Sequence, residues 1–200
     1  MTVARAVTLL LVLIGLLIRL SPLSDFTDRL FWQFMTEDGY LMQTIARNMA
    51  IGLGMSTADG AIATNGVQPL ATLLFAALFA LADGSRSGGI ALITVFSTLV
   101  SAGAAYCLYR MLPAALGDTE RRPAFAAVVA ALWFASPIIV SISMNGLETG
   151  VYHLALLATM AFYLHAVHRS SAPFDWGQRI VLGVLLGITF LARNDAVFFI

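Results

Sequence analysis

The sequence predicts an all-α protein: a polytopic transmembrane helical bundle with juxtamembrane helices in a long first extracytoplasmic loop. Of its 200 residues, 60% are hydrophobic and only 11% are charged, whereas about 25% of the residues of a typical soluble domain are charged. The mean hydropathy is +0.87. So few charges cannot solvate the surface of a soluble domain, and the apolar residues fall into runs of membrane-spanning length.

The remaining composition excludes several classes of function. The 11 acidic and 11 basic residues cancel, so no overall field attracts nucleic acid. One cysteine rules out a disulfide framework, and no Cys/His spacing is typical of a zinc site. No Walker-type phosphate loop or dinucleotide fingerprint is present. We therefore expect membrane lipid, and no nucleic acid, among the partners.

Five apolar runs are candidates for crossing a bilayer core, which takes about 20 helical residues. The first follows Arg5 and has the features of a signal peptide, but no small-x-small cleavage site comes after it, so we interpret it as an uncleaved helix. The final run is still apolar where the sequence stops, which favours one membrane domain, residues 1–200, as the N-terminal part of a longer bundle. The five runs cover about 4–20, 89–108, 124–142, 150–167 and 180–200.

A further apolar segment, about 70–82, would span only about 20 Å as a helix. Arginines indicate the topology, because loops 109–123 and 165–179 are basic and cytoplasmic loops carry an excess of such residues. Both loops share the side of the N-terminus only if the segment 70–82 does not cross. We therefore predict a re-entrant or interfacial helix there, in a multi-pass protein of the inner (plasma) membrane. The arginines are Arg110, Arg121, Arg122, Arg169 and Arg179.

Two more juxtamembrane helices are predicted in the outside segment. Over about 25–35, aromatic and apolar residues recur at near-helical spacing, which favours an amphipathic helix lying on the membrane. Over about 37–51, Thr36 is a suitable N-cap, and Glu37 and Asp38 fall in the first turn. Two adjacent carboxylates can stabilise the helix dipole, act as a base or hold a metal ion. The spacing alone leaves these alternatives open.

Arg193 is the most costly charge in the sequence, because it follows a long apolar run and is expected deep in the fifth spanning helix. A charge in that position costs several kcal/mol, about 2.5 or more, unless it is paired. It pairs either with Asp195 or another acid, or it binds the phosphate of a ligand through its planar guanidinium. We favour the phosphate.

Several short motifs follow one order along the chain. They are Glu37-Asp38-Gly39-Tyr40, Ile45-Ala46-Arg47-Asn48-Met49-Ala50, the segment Thr64–Leu70, Asn145-Gly146-Leu147-Glu148-Thr149 and Leu191-Ala192-Arg193-Asn194-Asp195. This set resembles motifs of the bacterial GT-C superfamily of glycosyltransferases, which includes folds like those of dolichyl-phosphate mannosyltransferase and lipid A aminoarabinose transferase. The chain departs from the family pattern at Glu37, Gln68, Ala71 and Asn194, where aspartate, histidine, tryptophan and proline are usual.

The resemblance implies a multi-pass enzyme that transfers a sugar from a polyprenyl-phosphate donor to a glycan, lipid or protein acceptor on the extracytoplasmic face. It implies Asp38 as the catalytic base, with Glu37 beside it, and Glu148 as a second-loop acid that binds acceptor or metal. Arg193 and Arg47 would bind the donor phosphate. A divalent cation, Mg²⁺ or Mn²⁺, would lie on Glu37, Asp38 and Glu148, although no cofactor is certain. Asn48, Asn65, Gln68, Asn145 and Asp195 would line the cavity.

Two other functions compete with a transferase. A transporter or flippase of lipid-linked sugars would also use a buried arginine and broken helices. A non-catalytic membrane subunit would leave Asp38, Glu148 and Arg193 without a shared purpose. The acids cluster in an outside loop, and no spanning run contains the series of carboxylates that a proton relay needs. This distribution favours the enzyme.

Overall fold

The computed structural model describes residues 3–65, 67–115, 122–169 and 174–199, and this part of the chain is helical. It contains no β-strand, only a single bridge between Ser56 and Ala63. The all-α prediction is therefore confirmed for the described residues. The α-helices are α1 (Val3–Leu20), α2 (Arg29–Trp32), α3 (Glu37–Ala50), α4 (Pro69–Leu81), α5 (Arg86–Ala115), α6 (Arg122–Ala135), α7 (Pro137–Met144), α8 (Thr149–Arg169) and α9 (Trp176–Ala192), with 3₁₀ turns at Ser21–Ser24 and Asn194–Phe198.

Two of the described helices are long and apolar enough to cross a membrane. They cover Val3–Ser24 and Arg86–Pro113, and a third candidate is the bent pair Pro123–Ala135 and Pro137–Met144. Two shorter apolar helices, α4 and α9, fall below that length. By length and composition the described residues therefore contain two or three candidate spans, which agrees with a membrane protein.

The predicted span 124–142 is two helices rather than one. Helix α6 ends at Ala135, α7 begins at Pro137, and the two axes differ by 57°. The cause is local: proline has no N–H to donate and disfavours a helical conformation at the residue before it. Ser136 is accordingly extended, with φ −59° and ψ 126°. The break leaves the Phe134 carbonyl free to accept a hydrogen bond of 2.5 Å from Arg19 Nη1.

The last predicted span, 180–200, also ends earlier than expected. Helix α9 stops at Ala192, and Arg193 is extended, with φ −157° and ψ 123°. Asn194 and Asp195 follow in a 3₁₀ turn, in keeping with the preference of Asn and Asp side chains for turns over helix interiors. The prediction that Arg193 lies inside the fifth helix is therefore wrong.

The direction of each long helix can be read from its side-chain contacts. Arg110 and His165, near the C-terminal ends of α5 and α8, lie 3.3 Å apart (Nη2 to Nε2), so these two helices run parallel. Thr8 near the start of α1 lines the same cavity as Tyr109 near the end of α5, so those two run antiparallel. The end of α1 and the start of α5 therefore meet at one end of the bundle. We call it the site end.

Helices α3 and α4 lie at the site end and pack on each other, and α4 also packs on α5. Ala46 of α3 and Ala71, Phe75 and Phe79 of α4 are fully or almost fully buried. The Phe75 ring meets Phe96 of α5 edge to face, with 6.3 Å between the ring centroids. Burial of each large side chain favours this packing by about 1.5–3 kcal/mol where it is removed from water. The small alanines allow α3 to approach α4 closely.

Candidate functional site

A pocket of about 480 Å³ at the site end gathers residues from four separate segments of the chain. They come from the start of α3, the segment before α4, the turn before α8 and the turn after α9. We call it the carboxylate pocket, because it contains one acid from α3 and one from the turn before α8. Its lining residues are Asp38, Leu41, Met42, Asn65, Val67, Gln68, Leu147, Glu148 and Asn194.

Asp38 enters the pocket from the first turn of α3. The predicted N-cap is confirmed: the Thr36 hydroxyl oxygen accepts a hydrogen bond from the Gly39 N–H at 3.2 Å. The positive end of the helix dipole favours a charged carboxylate at this position. Asp38 and Glu37 are both exposed, but only Asp38 lines the pocket. Adjacent residues on a helix point about 100° apart, and this rotation separates the two acids.

The turn at Asn145 and Gly146 is docked directly on the start of α3. The Thr36 N–H and hydroxyl both donate to the Asn145 carbonyl oxygen, each at 3.3 Å. Gly39 faces the same carbonyl, and a Cβ atom there would collide with it. Gly146 has φ +85°, a conformation that glycine adopts without steric cost. This backbone-to-backbone contact brings the Glu148 segment beside Asp38.

Asn145 itself has a positioning role and does not line the carboxylate pocket. Its side-chain oxygen accepts a hydrogen bond of 3.1 Å from the Leu147 N–H, which fixes the turn. Its carbonyl is the acceptor for Thr36 described above. The prediction that the Asn145 side chain faces the cavity is not supported by the described lining.

Glu148 is the more buried of the two acids, with 9% of its surface exposed. Its Oε1 lies 3.9 Å from Arg193 Nε, and the same nitrogen is 2.9 Å from Asp195 Oδ1. The Arg193 guanidinium also lies 5.9 Å from the centre of the Tyr152 ring. Arg193 is thus paired with both acids, as one of the sequence-based alternatives stated. Asp195 is exposed, and neither Arg193 nor Asp195 lines the carboxylate pocket, so the prediction that Asp195 lines the cavity is not supported.

Gln68 links the segment before α4 to the segment after α9. Its side-chain oxygen accepts a hydrogen bond of 3.2 Å from the Asn194 N–H. Asn65 and Gln68 both line the carboxylate pocket, where they were predicted to lie. Asn194 also lines it and was missed as a site residue. Its position between two predicted site residues, Arg193 and Asp195, is the sequence signal that indicates it.

Arg47 and Asn48 do not reach this pocket, contrary to their predicted roles in donor binding and cavity lining. Arg47 lines a different cavity, and its Nε donates to the Gly84 carbonyl at 2.7 Å. Asp38 and Arg47 are nine residues apart, two and a half turns at 3.6 residues per turn, so they face opposite sides of α3. Asn48 is buried, and its Nδ2 donates to the Ser56 and Ala58 carbonyls at 2.9 Å. Its role is to hold the loop after α3.

The predicted metal site is limited to two carboxylates. Among the described residues, no three or more His, Cys, Asp or Glu side chains come together as a metal-binding group, and Glu37 does not line the pocket. Mg²⁺ is commonly held by one or two carboxylates together with substrate phosphates. Asp38 and Glu148 would be the residues to hold such an ion. A divalent cation stays a prediction.

The site is a polar pocket with two carboxylates and an adjacent arginine, in a helical chain with apolar spans. Such a set can take a proton, stabilise a developing positive charge and bind an anion. Comparison of the chain with models of known protein families, with curated protein sequences and with solved structures gives no match. The geometry and the chemistry of the pocket are therefore the basis for assigning a function.

Proposed function

We propose that the protein is a membrane glycosyltransferase that uses a polyprenyl-phosphate-linked sugar as its donor. The acceptor is a glycan, a lipid or a protein on the extracytoplasmic face of the bacterial inner membrane. One observation carries the proposal. Asp38 and Glu148, from motifs far apart in the sequence, line one pocket, and Arg193 from a third motif lies within 3.9 Å of Glu148.

Asp38 is the proposed general base. It removes the proton from the acceptor hydroxyl while that oxygen attacks the anomeric carbon, and the bond from this carbon to the phosphate oxygen breaks. The products are the glycosylated acceptor and the free polyprenyl phosphate. A positioned base contributes about 10²–10⁴ in rate. The exposure of Asp38 at the pocket wall leaves it accessible to an acceptor entering from the aqueous side.

Glu148 is proposed to stabilise the sugar in the transition state. Glycosyl transfer passes through a state in which positive charge develops on the sugar ring, and a nearby carboxylate lowers its energy. Glu148 is the buried acid of the pair, where electrostatic interactions are less screened than at the surface. Arg193 then lies on the side of Glu148 where the phosphate would leave, and its planar guanidinium suits two phosphate oxygens.

The proposed topology has five spans, with the N-terminus in the cytoplasm and the carboxylate pocket outside. The antiparallel arrangement of α1 and α5 supports this topology, because the chain between them, including α4, begins and ends at the site end. The 13 residues of α4 are too few for a full crossing. In this arrangement α8 and α9 are the fourth and fifth spans.

The proposal is tested with Asp38→Asn and an assay of sugar release from a polyprenyl-phosphate donor. We expect turnover to fall by about 10²-fold or more, because the base is lost while the side-chain volume is kept. Glu37→Gln is the matched control: it also removes one charge from the first turn of α3 but lies outside the pocket, so we expect it to retain most activity. Turnover near the wild-type rate in folded, membrane-inserted Asp38→Asn would refute the assignment.

A transporter or flippase of lipid-linked sugars is the second candidate, and two observations favour it. Arg19 is fully buried in α1, and its partner Phe134 is the second-last residue of α6, next to the break between α6 and α7. Broken helices and buried charges are common at transporter binding sites. Reconstituted vesicles separate the two functions, because a transporter moves the intact donor lipid across the bilayer without releasing its sugar.

A further inference from the structure

A second cavity, of about 380 Å³, lies on the face of α3 opposite the carboxylate pocket. One stripe of α3 forms its floor, with residues at the helical spacing i, i+3, i+4 and i+7. Helices α2, α4 and α5 close the sides. We call it the arginine cavity. Its lining residues are Phe31, Trp32, Tyr40, Gln43, Thr44, Arg47, Phe79, Arg86 and Ile90.

The charge of the arginine cavity is positive. Its described lining contains Arg47 and Arg86 and no carboxylate. The hydrogen bond from Arg47 Nε to the Gly84 carbonyl fixes the position of the side chain at the cavity wall. Arg86 is exposed and begins the 30-residue helix α5, so the positive end of that helix dipole adds to the field. Two guanidinium groups beside a helix start favour an anion such as a phosphate.

Gln43 provides an independent indication of a ligand. Its side chain is buried, with 3% exposed, and its Oε1 has no hydrogen-bond partner among the described residues. Among the described hydrogen bonds, its Nε2 has one partner, the Met35 sulfur at 3.5 Å. A buried acceptor without a partner is unfavourable. Gln43 lines the cavity, so a rotation of its amide toward the cavity would let a hydroxyl or amine of a ligand satisfy this acceptor. The ligand should therefore carry such a donor next to its anionic group.

The surroundings of the cavity favour a lipid headgroup over a free anion in solution. Trp32 is 69% exposed at its rim, and aromatic side chains of this kind are enriched where a membrane meets water. The apolar span Arg86–Pro113 begins at the same place. Leu81, at the end of α4, is also largely exposed. A phosphate bound to the two arginines would thus lie at headgroup level, with its acyl chains along apolar surface.

We propose that the arginine cavity binds the headgroup of an anionic phospholipid with hydroxyl groups, of the phosphatidylglycerol type. The phosphodiester contacts Arg47 and Arg86, and a headgroup hydroxyl donates to Gln43 Oε1. The site is separate from the carboxylate pocket and does not depend on the proposed enzymatic activity. Because α3 forms a wall of both cavities, a lipid bound there also supports the helix that carries Asp38.

The test measures lipid bound to the purified full chain by native mass spectrometry. Detergent-solubilised protein is mixed with phosphatidylglycerol, phosphatidic acid or phosphatidylcholine. We expect phosphatidylglycerol to bind, and Arg86→Gln to weaken it about tenfold, which corresponds to about 1.4 kcal/mol. Arg29→Gln, which removes an exposed arginine of α2 outside the cavity lining, is the matched control and should leave binding unchanged.

Gln43→Leu tests the hydroxyl contact separately from the charge. We expect this variant to bind phosphatidylglycerol more weakly. Binding of phosphatidic acid should not change, because that lipid has no headgroup hydroxyl beyond the phosphate. Equal binding of phosphatidylglycerol to wild type, Arg86→Gln and Gln43→Leu would overturn the proposal. Displacement of the lipid by equimolar inorganic phosphate or glycerol 1-phosphate would overturn it as well, because the site would then bind a soluble anion.

Discussion

Arg193 is held between Glu148 and Asp195 through a single nitrogen, Nε. An acid as buried as Glu148 is costly without a nearby cation, and Arg193 provides one. Asp195, which is exposed, holds Arg193 in place from the other side. In the described contacts both acids meet Nε, which in the proposed mechanism leaves the terminal nitrogens for the donor phosphate. Asp195 therefore acts as a positioning residue.

The first prediction concerns this arginine. We expect Arg193→Ala to raise the apparent KM for the polyprenyl-phosphate donor by about 10- to 100-fold, because a hydrogen bond to a charged group contributes about 1.5–3 kcal/mol. The donor KM of Arg193→Lys should lie between those of the wild type and Arg193→Ala, since lysine keeps the charge but loses the planar fork. Steady-state kinetics over a range of donor concentrations measures both. An unchanged donor KM together with a lowered Tm would show that Arg193 serves only the ion pairs.

At the scale of the elements, the pocket depends on how α3 meets the turn before α8. Thr36 donates hydrogen bonds to the Asn145 carbonyl. Gly39 lies close to the same carbonyl because it has no side chain. The turn and the helix are 109 residues apart in the sequence. On the side of the turn, the contact is made by the Asn145 backbone carbonyl. Small changes in this contact should move Glu148 relative to Asp38.

The second prediction follows from that contact. Gly39→Ala places a Cβ against the Asn145 carbonyl and should destabilise the protein by about 1–3 kcal/mol, as overpacking does in other proteins. It should also lower turnover, because the two acids are pushed apart. Gly183→Ala and Gly187→Ala in α9 are matched controls, since no described atom lies within 4 Å of a Cβ at either position. Equal Tm and turnover in all three variants would contradict the role assigned to Gly39.

The third prediction concerns the break between α6 and α7. Arg19 donates to the Phe134 carbonyl at the end of α6 and lies over the Phe134 ring, 4.1 Å from its centre. We expect Arg19→Met to lower Tm, because this carbonyl loses its partner, and to leave the donor KM unchanged. Thermal unfolding in detergent and the release assay measure the two effects. Loss of lipid-linked sugar movement in a protein that remains folded would favour the transporter instead.

Local signals predicted both limits of α3 and α4 to within one residue but missed both limits of α9. Thr36 and Pro69 mark the starts of α3 and α4 at the positions found, because N-caps and proline act through neighbouring residues. The end of α9 at Ala192 was missed, since apolar residues resume at Ala196 and only Asn194 and Asp195 signal a turn. Pro137 was an available signal for the α6–α7 break.

The convergence of Asp38, Glu148 and Arg193 could not be deduced from periodicity, because nothing local relates α3 to the turns before α8 and after α9. The order of the motifs indicated a shared site. Four of the predicted residues do line one pocket: Asp38, Glu148, Asn65 and Gln68. The same motifs grouped Arg47 with them. Helical geometry alone was enough to separate Arg47 from Asp38, since nine residues correspond to half a turn beyond two full turns.

At the scale of the whole molecule, most of the described acidic residues lie at the site end of the bundle, whereas arginines lie at both ends, although the net charge is zero. Arg110 and His165 meet at one end, where Arg179 also follows the start of α9. Asp38 and Glu148 lie at the other end. Arg121 and Arg122, also predicted to be cytoplasmic, have side chains outside the described residues, and His168 and Arg169 fall outside as well. Arg110 and Arg179, at the end opposite the site end, agree with a cytoplasmic location of that end by the positive-inside rule.

The fourth prediction tests this orientation through single cysteines introduced in a Cys107→Ser background. Ala61 lies in the exposed loop between α3 and α4 at the site end, and Trp176 is exposed at the start of α9 near the opposite end. A membrane-impermeant maleimide applied to intact cells should label Ala61→Cys and spare Trp176→Cys until the cells are lysed. The reason is that, in the proposed topology, the end of the bundle with Arg110 and Arg179 faces the cytoplasm. Labelling of Trp176→Cys in intact cells would place the carboxylate pocket inside, where an extracytoplasmic acceptor could not reach Asp38.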